Sequence, residues 1–137
     1  MNQLQVRVYY EDTDSGGVVY YANYLKFIER GRSEYLRSLG FEQDELIKKQ
    51  NIIFAVKSLS AEYKSPARFN DLLNVQTQVE KTGKASLVFS QKITSLEQNK
   101  VLFRAQVIVA CLSADNFKPC AIPSVISEKV IMEKNNG

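Results

Sequence analysis

From Ile52 to Leu112 the chain reads as four long β segments separated by short turn signals, and only one long helical stripe precedes them. Ile52–Tyr63 is the first segment, ended by a break around Pro66. In the second, Leu73, Val75, Thr77 and Val79 alternate with Asn74, Gln76, Gln78 and Glu80, the period of a half-buried strand. A hairpin turn at Thr82-Gly83-Lys84 leads to the third, marked by Leu87, Phe89 and Ile93. The fourth follows a turn at Glu97–Lys100 and puts Val101, Phe103, Ala105, Val107, Val109 and Cys111 on one face. Its other face carries Leu102, Ile108, Ala110 and Leu112, so both faces are expected to be covered over much of its length.

Upstream, Leu4–Tyr10 alternates as a strand, with Leu4, Val6, Val8 and Tyr10 on one side. Between Tyr24 and Leu39, the residues Tyr24, Phe27, Ile28, Gly31, Tyr35 and Leu39 recur at three- and four-residue steps and form one helical stripe. Asn23 is the expected N-cap and Gly40 the residue that ends the helix, with a short helical turn within Phe41–Gln50. A glycine inside a helix costs about 1 kcal/mol against alanine. Gly31 sits in the apolar stripe, which points to close backbone approach against a packed sheet. The order is strand, long helix, then four strands joined largely by hairpin-like turns. It predicts an α+β fold with one helix across one antiparallel sheet. One helix covers only part of such a sheet, so a dimer at least is expected.

With 137 residues, 45% of them hydrophobic, the chain is expected to form one domain over residues 1–133 with a loose tail at 134–137. A net charge of +3 is too weak to argue for nucleic-acid binding. Two cysteines and no histidine cannot make a four-ligand zinc site, so no metal is expected. Cys111 lies in an apolar run and reads as a buried small hydrophobe. No apolar h-region opens the chain, and no run approaches the ~20 apolar residues a membrane span needs. The expectation is a soluble cytoplasmic protein without direct membrane insertion.

The segment Glu11–Tyr24, EDTDSGGVVYYANY, concentrates the chemistry. An EF-hand loop started at Asp12 would place Gly16 and Asn23 where oxygen ligands belong, so that reading fails. No phosphate-loop or dinucleotide glycine motif is present. Serine triads and cysteine–histidine dyads lack their base. Aspartate and glycine often do no more than build a turn. Here, however, two carboxylates adjoin two glycines and feed an apolar run that enters a helix N-terminus. Free N–H groups and a positive dipole end lie there. A carboxylate beside an oxyanion site is the minimum for acyl transfer to water.

These residues resemble a known signature. Tyr9-Tyr10-Glu11-Asp12-Thr13-Asp14, Gly17-Val18-Val19-Tyr20 and Asn23-Tyr24 are similar to the opening motif of hotdog-fold acyl-CoA thioesterases of the 4-hydroxybenzoyl-CoA thioesterase type. Within these, the chain is most similar to the thioesterases encoded with the bacterial Tol–Pal envelope system. The likeness continues through ERGRSEYLRSLGF, SPARFNDLL and KPCAIP and covers nearly the whole chain. It implies a long helix wrapped by a curved antiparallel sheet, paired into homodimers or homotetramers with active sites at the dimer interface. It implies no cofactor. It makes Asp14 the catalytic carboxylate, acting as general base or as nucleophile, and the backbone N–H of Tyr21 the donor to the thioester carbonyl. Gly17, Tyr20, Asn23 and Tyr24 fall to substrate binding, with Phe27 as a further pocket wall or simply core. The Tol–Pal-associated relatives commonly carry histidine where this chain has Tyr21, and a phenol is a poor base at neutral pH. Asp12 is expected to cap the turn, and Glu34 and Glu62 are alternative carboxylates. Lys57, Lys64, Arg68, Lys81, Lys84 and Arg104 could meet the phosphates of coenzyme A, with Arg68 and Lys84 favoured. Two functions fit: hydrolysis of an acyl-CoA, or non-catalytic binding of acyl-CoA or acyl carrier protein by an envelope-linked scaffold.

Overall fold

A computed structural model describes residues 1–136. In chain order it contains β1 (Asn2–Arg7), a 3₁₀ turn (Tyr10–Asp12), α1 (Asn23–Ser38), α2 (Gln43–Gln50), β2 (Ile52–Tyr63), β3 (Leu72–Thr82), β4 (Ser86–Ser95), β5 (Lys100–Ser113) and α3 (Ser124–Asn136). The five strands form one sheet in the order β1-β3-β4-β5-β2, and every neighbouring pair is antiparallel. β3–β4 and β4–β5 are hairpins, as their turn signals predict. β2 is not joined to β3 in this way. It lies at the far edge against β5, and residues 64–71 cross the end of the sheet to reach β3. Alternation shows that a segment is a strand and which side it buries, but not which strand it pairs with.

α1 packs on β1, β3 and β4. Its buried residues include Tyr24, Phe27, Ile28, Gly31 and Tyr35, the stripe read from the sequence. A Cβ at Gly31 would lie 2.6 Å from Thr77 Oγ1 and 2.9 Å from Val75 Cγ1, so the helix backbone rests directly on β3. Gln91 of β4 fastens it there. Its Nε2 donates to the Ile28 carbonyl and to Thr77 Oγ1, both at 2.8 Å, while Arg32 Nη1 donates to its Oε1 at 3.0 Å. The helix ends in a Schellman turn: Gly40, at φ +95°, donates to the Arg37 carbonyl and Phe41 to that of Leu36.

Four local expectations change. β1 stops at Arg7, and Tyr10 leaves the strand face for the exposed 3₁₀ turn. Ala22 is the N-cap; Asn23 is the first helical residue, and its side chain is used elsewhere. α2 is an eight-residue helix closed by Asn51 at φ +55°. Finally, α3 fills the C-terminal region, with Ile126 and Val130 fully buried and Lys134 donating to the Glu80 carbonyl. The tail expected from residue 134 onward is therefore helical as far as Asn136, and Gly137 lies outside the described residues. Among the described residues no helix is long and apolar enough to cross a membrane.

Gly31→Ala is expected to destabilise the protein by about 1–3 kcal/mol despite alanine's better helix propensity, because Thr77 and Val75 belong to a central strand and cannot withdraw. Urea unfolding of the variant against wild type measures it.

Candidate active site

One carbonyl organises the segment between β1 and α1. The Asp12 carbonyl accepts the backbone N–H of Tyr20 and the side-chain Nδ2 of Asn23, both at 2.9 Å. The Asp12 carboxylate caps the 3₁₀ turn by accepting the Tyr9 N–H at 2.8 Å. Asn23 is buried, so its amide ties the loop to the helix rather than facing a ligand.

Beyond Asp12 the chain makes a tight loop. Asp14 N–H donates to the Val18 carbonyl and Gly17 N–H to the Asp14 carbonyl. Asp14 Oδ1 accepts the Gly16 N–H at 2.8 Å, and a Cβ on Gly16 would sit 3.2 Å from that same oxygen. Gly17 adopts φ +78°, where glycine is strongly favoured. One carboxylate oxygen of Asp14 is thus held by the loop. Among the described residues Oδ2 has no partner, and the side chain is exposed.

The crossing segment 64–71 carries this loop. Val19 donates to the Ala67 carbonyl at 2.8 Å, Phe69 donates to the Gly17 carbonyl at 3.3 Å, and Val18 bridges Arg68. Ala67 in turn donates its N–H to the hydroxyl of Tyr24, 3.0 Å away. The other end of the segment hangs from the Leu102 carbonyl, which accepts from Lys64 and Ser65.

At the start of α1, among the described residues, no acceptor takes the N–H of Tyr21 or of Ala22. Tyr21 is 63% exposed, and its carbonyl is engaged by the Tyr63 hydroxyl at 2.9 Å. Aromatic rings run inward from it. Tyr20 lies 4.9 Å from Tyr21, Tyr63 contacts both Tyr21 and Tyr24, and Tyr24 stacks on Phe103 at 5.2 Å. An open depression of about 330 Å³ is lined by Val19, Tyr21, Tyr24, Tyr63, Lys64 and Ser65. Burial pushes the phenols of Tyr24 and Tyr63 above their ordinary range, with the Ala67 N–H partly offsetting this at Tyr24. Both are therefore neutral at physiological pH.

Asp14, Gly17, Tyr20, Tyr21, Asn23, Tyr24 and Arg68 thus gather at one end of the sheet, although Asn23 and Tyr24 hold the framework. Phe27 is core. Lys84 is elsewhere. It lies in the β3–β4 turn at the opposite end, roughly 30 Å of strand away, and does not join Asp14 within one chain. Glu34 is ion-paired with Arg37, and Glu62 with Lys64 at 3.1 Å. Tyr63 is the site residue the sequence reading did not single out. Its only signal is its place at the end of the first long strand, just before SPARF.

A model of the thioesterase superfamily matches residues 16–102. The acyl-CoA thioesterase YbgC of Haemophilus influenzae is 46% identical over 121 residues, 88% of each chain. The acyl-CoA thioester hydrolase YbgC of Escherichia coli is 45% identical over 124 residues, covering 90% of this chain and 91% of the relative. Among solved structures, a probable thioesterase from Bartonella henselae superposes with a TM-score of 0.84 at 35% identity, over 89% of this chain and 98% of that one.

Tyr24→Phe should cost about 1–3 kcal/mol, because it orphans the fully buried Ala67 N–H. Tyr63→Phe frees an exposed carbonyl that water can satisfy and should cost less than about 1 kcal/mol. Urea unfolding of the two variants side by side tests the difference.

Proposed function

This chain belongs to the thioesterase superfamily, has its hotdog fold and is a thioester hydrolase, and we propose that it cleaves acyl-coenzyme A with Asp14 as its reactive carboxylate. The observation that carries the assignment is the state of that side chain. The loop holds Oδ1 through the Gly16 N–H and leaves Oδ2 free. In the proposed step Oδ2 takes a proton from water as the water oxygen bonds the thioester carbon. The carbon–sulfur bond then breaks, and the proton leaves with the thiolate. The exposed Tyr21 N–H, beside the unpaired N–H of Ala22 at the positive end of α1, receives the charge that builds on the carbonyl oxygen. Alternatively Oδ2 bonds the thioester carbon directly, the carbon–sulfur bond breaks to release thiolate, and water then cleaves the resulting anhydride to free the acid and restore the Asp14 carboxylate, in the same geometry.

A histidine is not required. Thiolate is a good leaving group and needs little acid assistance, so one base and one electrophilic site suffice. Tyr21 serves in this scheme through its backbone, where the identity of the side chain matters little. Tyr20 and the Tyr21–Tyr63 wall form the side of the acyl pocket. The exposed guanidinium of Arg68 meets the phosphates, and Lys84 could do so only from a second protomer.

The same reading includes a homodimer. β2 is an edge strand with Val56, Leu59 and Tyr63 exposed along it, an arrangement open to pairing with another copy. A reducing cytoplasm suits Cys111 and Cys120, whose sulfurs lie 3.8 Å apart and unbonded.

Asp14→Asn keeps an oxygen for the Gly16 N–H and should fold normally. It should lower kcat about 10²- to 10⁴-fold on acyl-CoA while KM moves little. Thiol release from short-chain, long-chain and benzoyl esters measures this, and undiminished turnover would remove Asp14 from the chemistry. Sedimentation equilibrium should return twice the monomer mass or a higher multiple, and a monomer at micromolar concentration would refute the β2 pairing.

A further inference from the structure

Tyr10 and Phe69 form an exposed aromatic pair, and neither has a role in the chemistry described above. Tyr10 is 78% exposed and Phe69 39% exposed. Their rings stack face to face, with centroids 4.0 Å apart and planes 9° from parallel. Such a pair buries one face of each ring against the other, and Tyr10 keeps most of its surface open. Both residues stand on fixed backbone. The Tyr10 carbonyl accepts the N–H and the Oγ1 of Thr13. Phe69 is held by the Gly17 carbonyl, and Asn70, at φ +71°, donates to the Val8 carbonyl. The contact to Gly17 places the pair directly against the Asp14 loop. Arg7, Tyr9, Glu11 and Asn70 line an open depression of about 360 Å³ around it. Arg68, the residue before Phe69, exposes a guanidinium that among the described residues has no carboxylate within 4 Å.

We propose that the Tyr10–Phe69 stack is the platform for the adenine base of coenzyme A, and that Arg68 beside it takes a phosphate. The inference rests on the acyl-CoA reading above and extends it to the carrier. The leaving group of that reaction carries one flat π-system, adenine, next to several phosphates. A stacked pair whose chain neighbour is an exposed arginine matches both features. Stacking on an aromatic face needs no base-specific hydrogen bonds. A phosphopantetheine carried on a protein has no such base, so the platform would select free coenzyme A over an acyl carrier protein.

The test pairs two substrates. For a given acyl group, kcat/KM is measured on the acyl-CoA and on the acyl-pantetheine, which lacks the nucleotide. Tyr10→Ala should lower kcat/KM for the acyl-CoA at least five-fold, through KM, while the acyl-pantetheine reaction moves less than two-fold. Tyr10→Phe should restore the acyl-CoA value, because it keeps the ring. An equal loss on both substrates, or no loss on either, would overturn the platform. So would a change in sedimentation mass with an unchanged KM, which would assign the stack to contacts between copies. If wild type hydrolyses neither substrate, the hydrolase reading itself fails. Titration with adenosine 3′,5′-bisphosphate then decides the platform alone, and wild type and Tyr10→Ala binding it equally would overturn it.

Discussion

The absence of a side chain at Gly31 sets the distance between α1 and the sheet. With 2.6 Å from a would-be Cβ to Thr77 Oγ1, no other residue fits without displacing β3. Gln91 then converts that proximity into a fixed orientation by joining the Ile28 carbonyl, Thr77 and Arg32 in one buried network. A buried amide with every hydrogen-bonding group satisfied is directional in a way that apolar packing is not. The helix can therefore neither slide nor roll, and its first turn is held in place. Everything at the candidate site hangs from that turn.

The connection between β2 and β3 completes the arrangement. Because β2 lies on the far edge, residues 64–71 must traverse the end of the sheet, and they do so directly beneath the Asp14 loop. The traverse bonds in turn to Leu102, Tyr24, Val19 and Gly17, so its backbone groups are used to clamp the loop rather than to pair with a neighbouring strand. A hairpin between β2 and β3 would leave the loop without this support. Topology and the candidate site are linked at this point: the strand order dictates a crossing, and the crossing carries the Asp14 loop.

How far the sequence revealed this depended on the range of the interaction. Local periodicity showed α1 and its stripe, and the cost of a mid-helix glycine pointed to the close approach at Gly31. Glycine pairs and aspartates marked the loop. What escaped was non-local. Nothing in the pattern of Ile52–Tyr63 says that it pairs with β5, and Lys84 looked like a neighbour of the site only while the two ends of β3 were not distinguished. Asn23 has the chemistry of an N-cap, but the Asp12 carbonyl, eleven residues earlier, competes for its amide and prevails. α3 hid behind its polar end, although Pro123 followed by Ile126 and Val130 at a four-residue step is a helical signal.

The lack of histidine looks at first like a missing part, but in the proposed scheme one carboxylate can serve. A general base must be ionised, free on one oxygen and held still. The Asx turn at Gly16 secures Oδ1 without occupying Oδ2, and the nearby phenols of Tyr24 and Tyr63, raised by burial, keep their own protons at neutral pH. In that scheme the opposite pole falls to the backbone, through the unpaired N–H groups where α1 begins. A change of side chain at position 21 would leave those donors where they are. In the proposed scheme the chemistry therefore depends less on the residue at position 21 than on the helix staying where Gly31 and Gln91 put it.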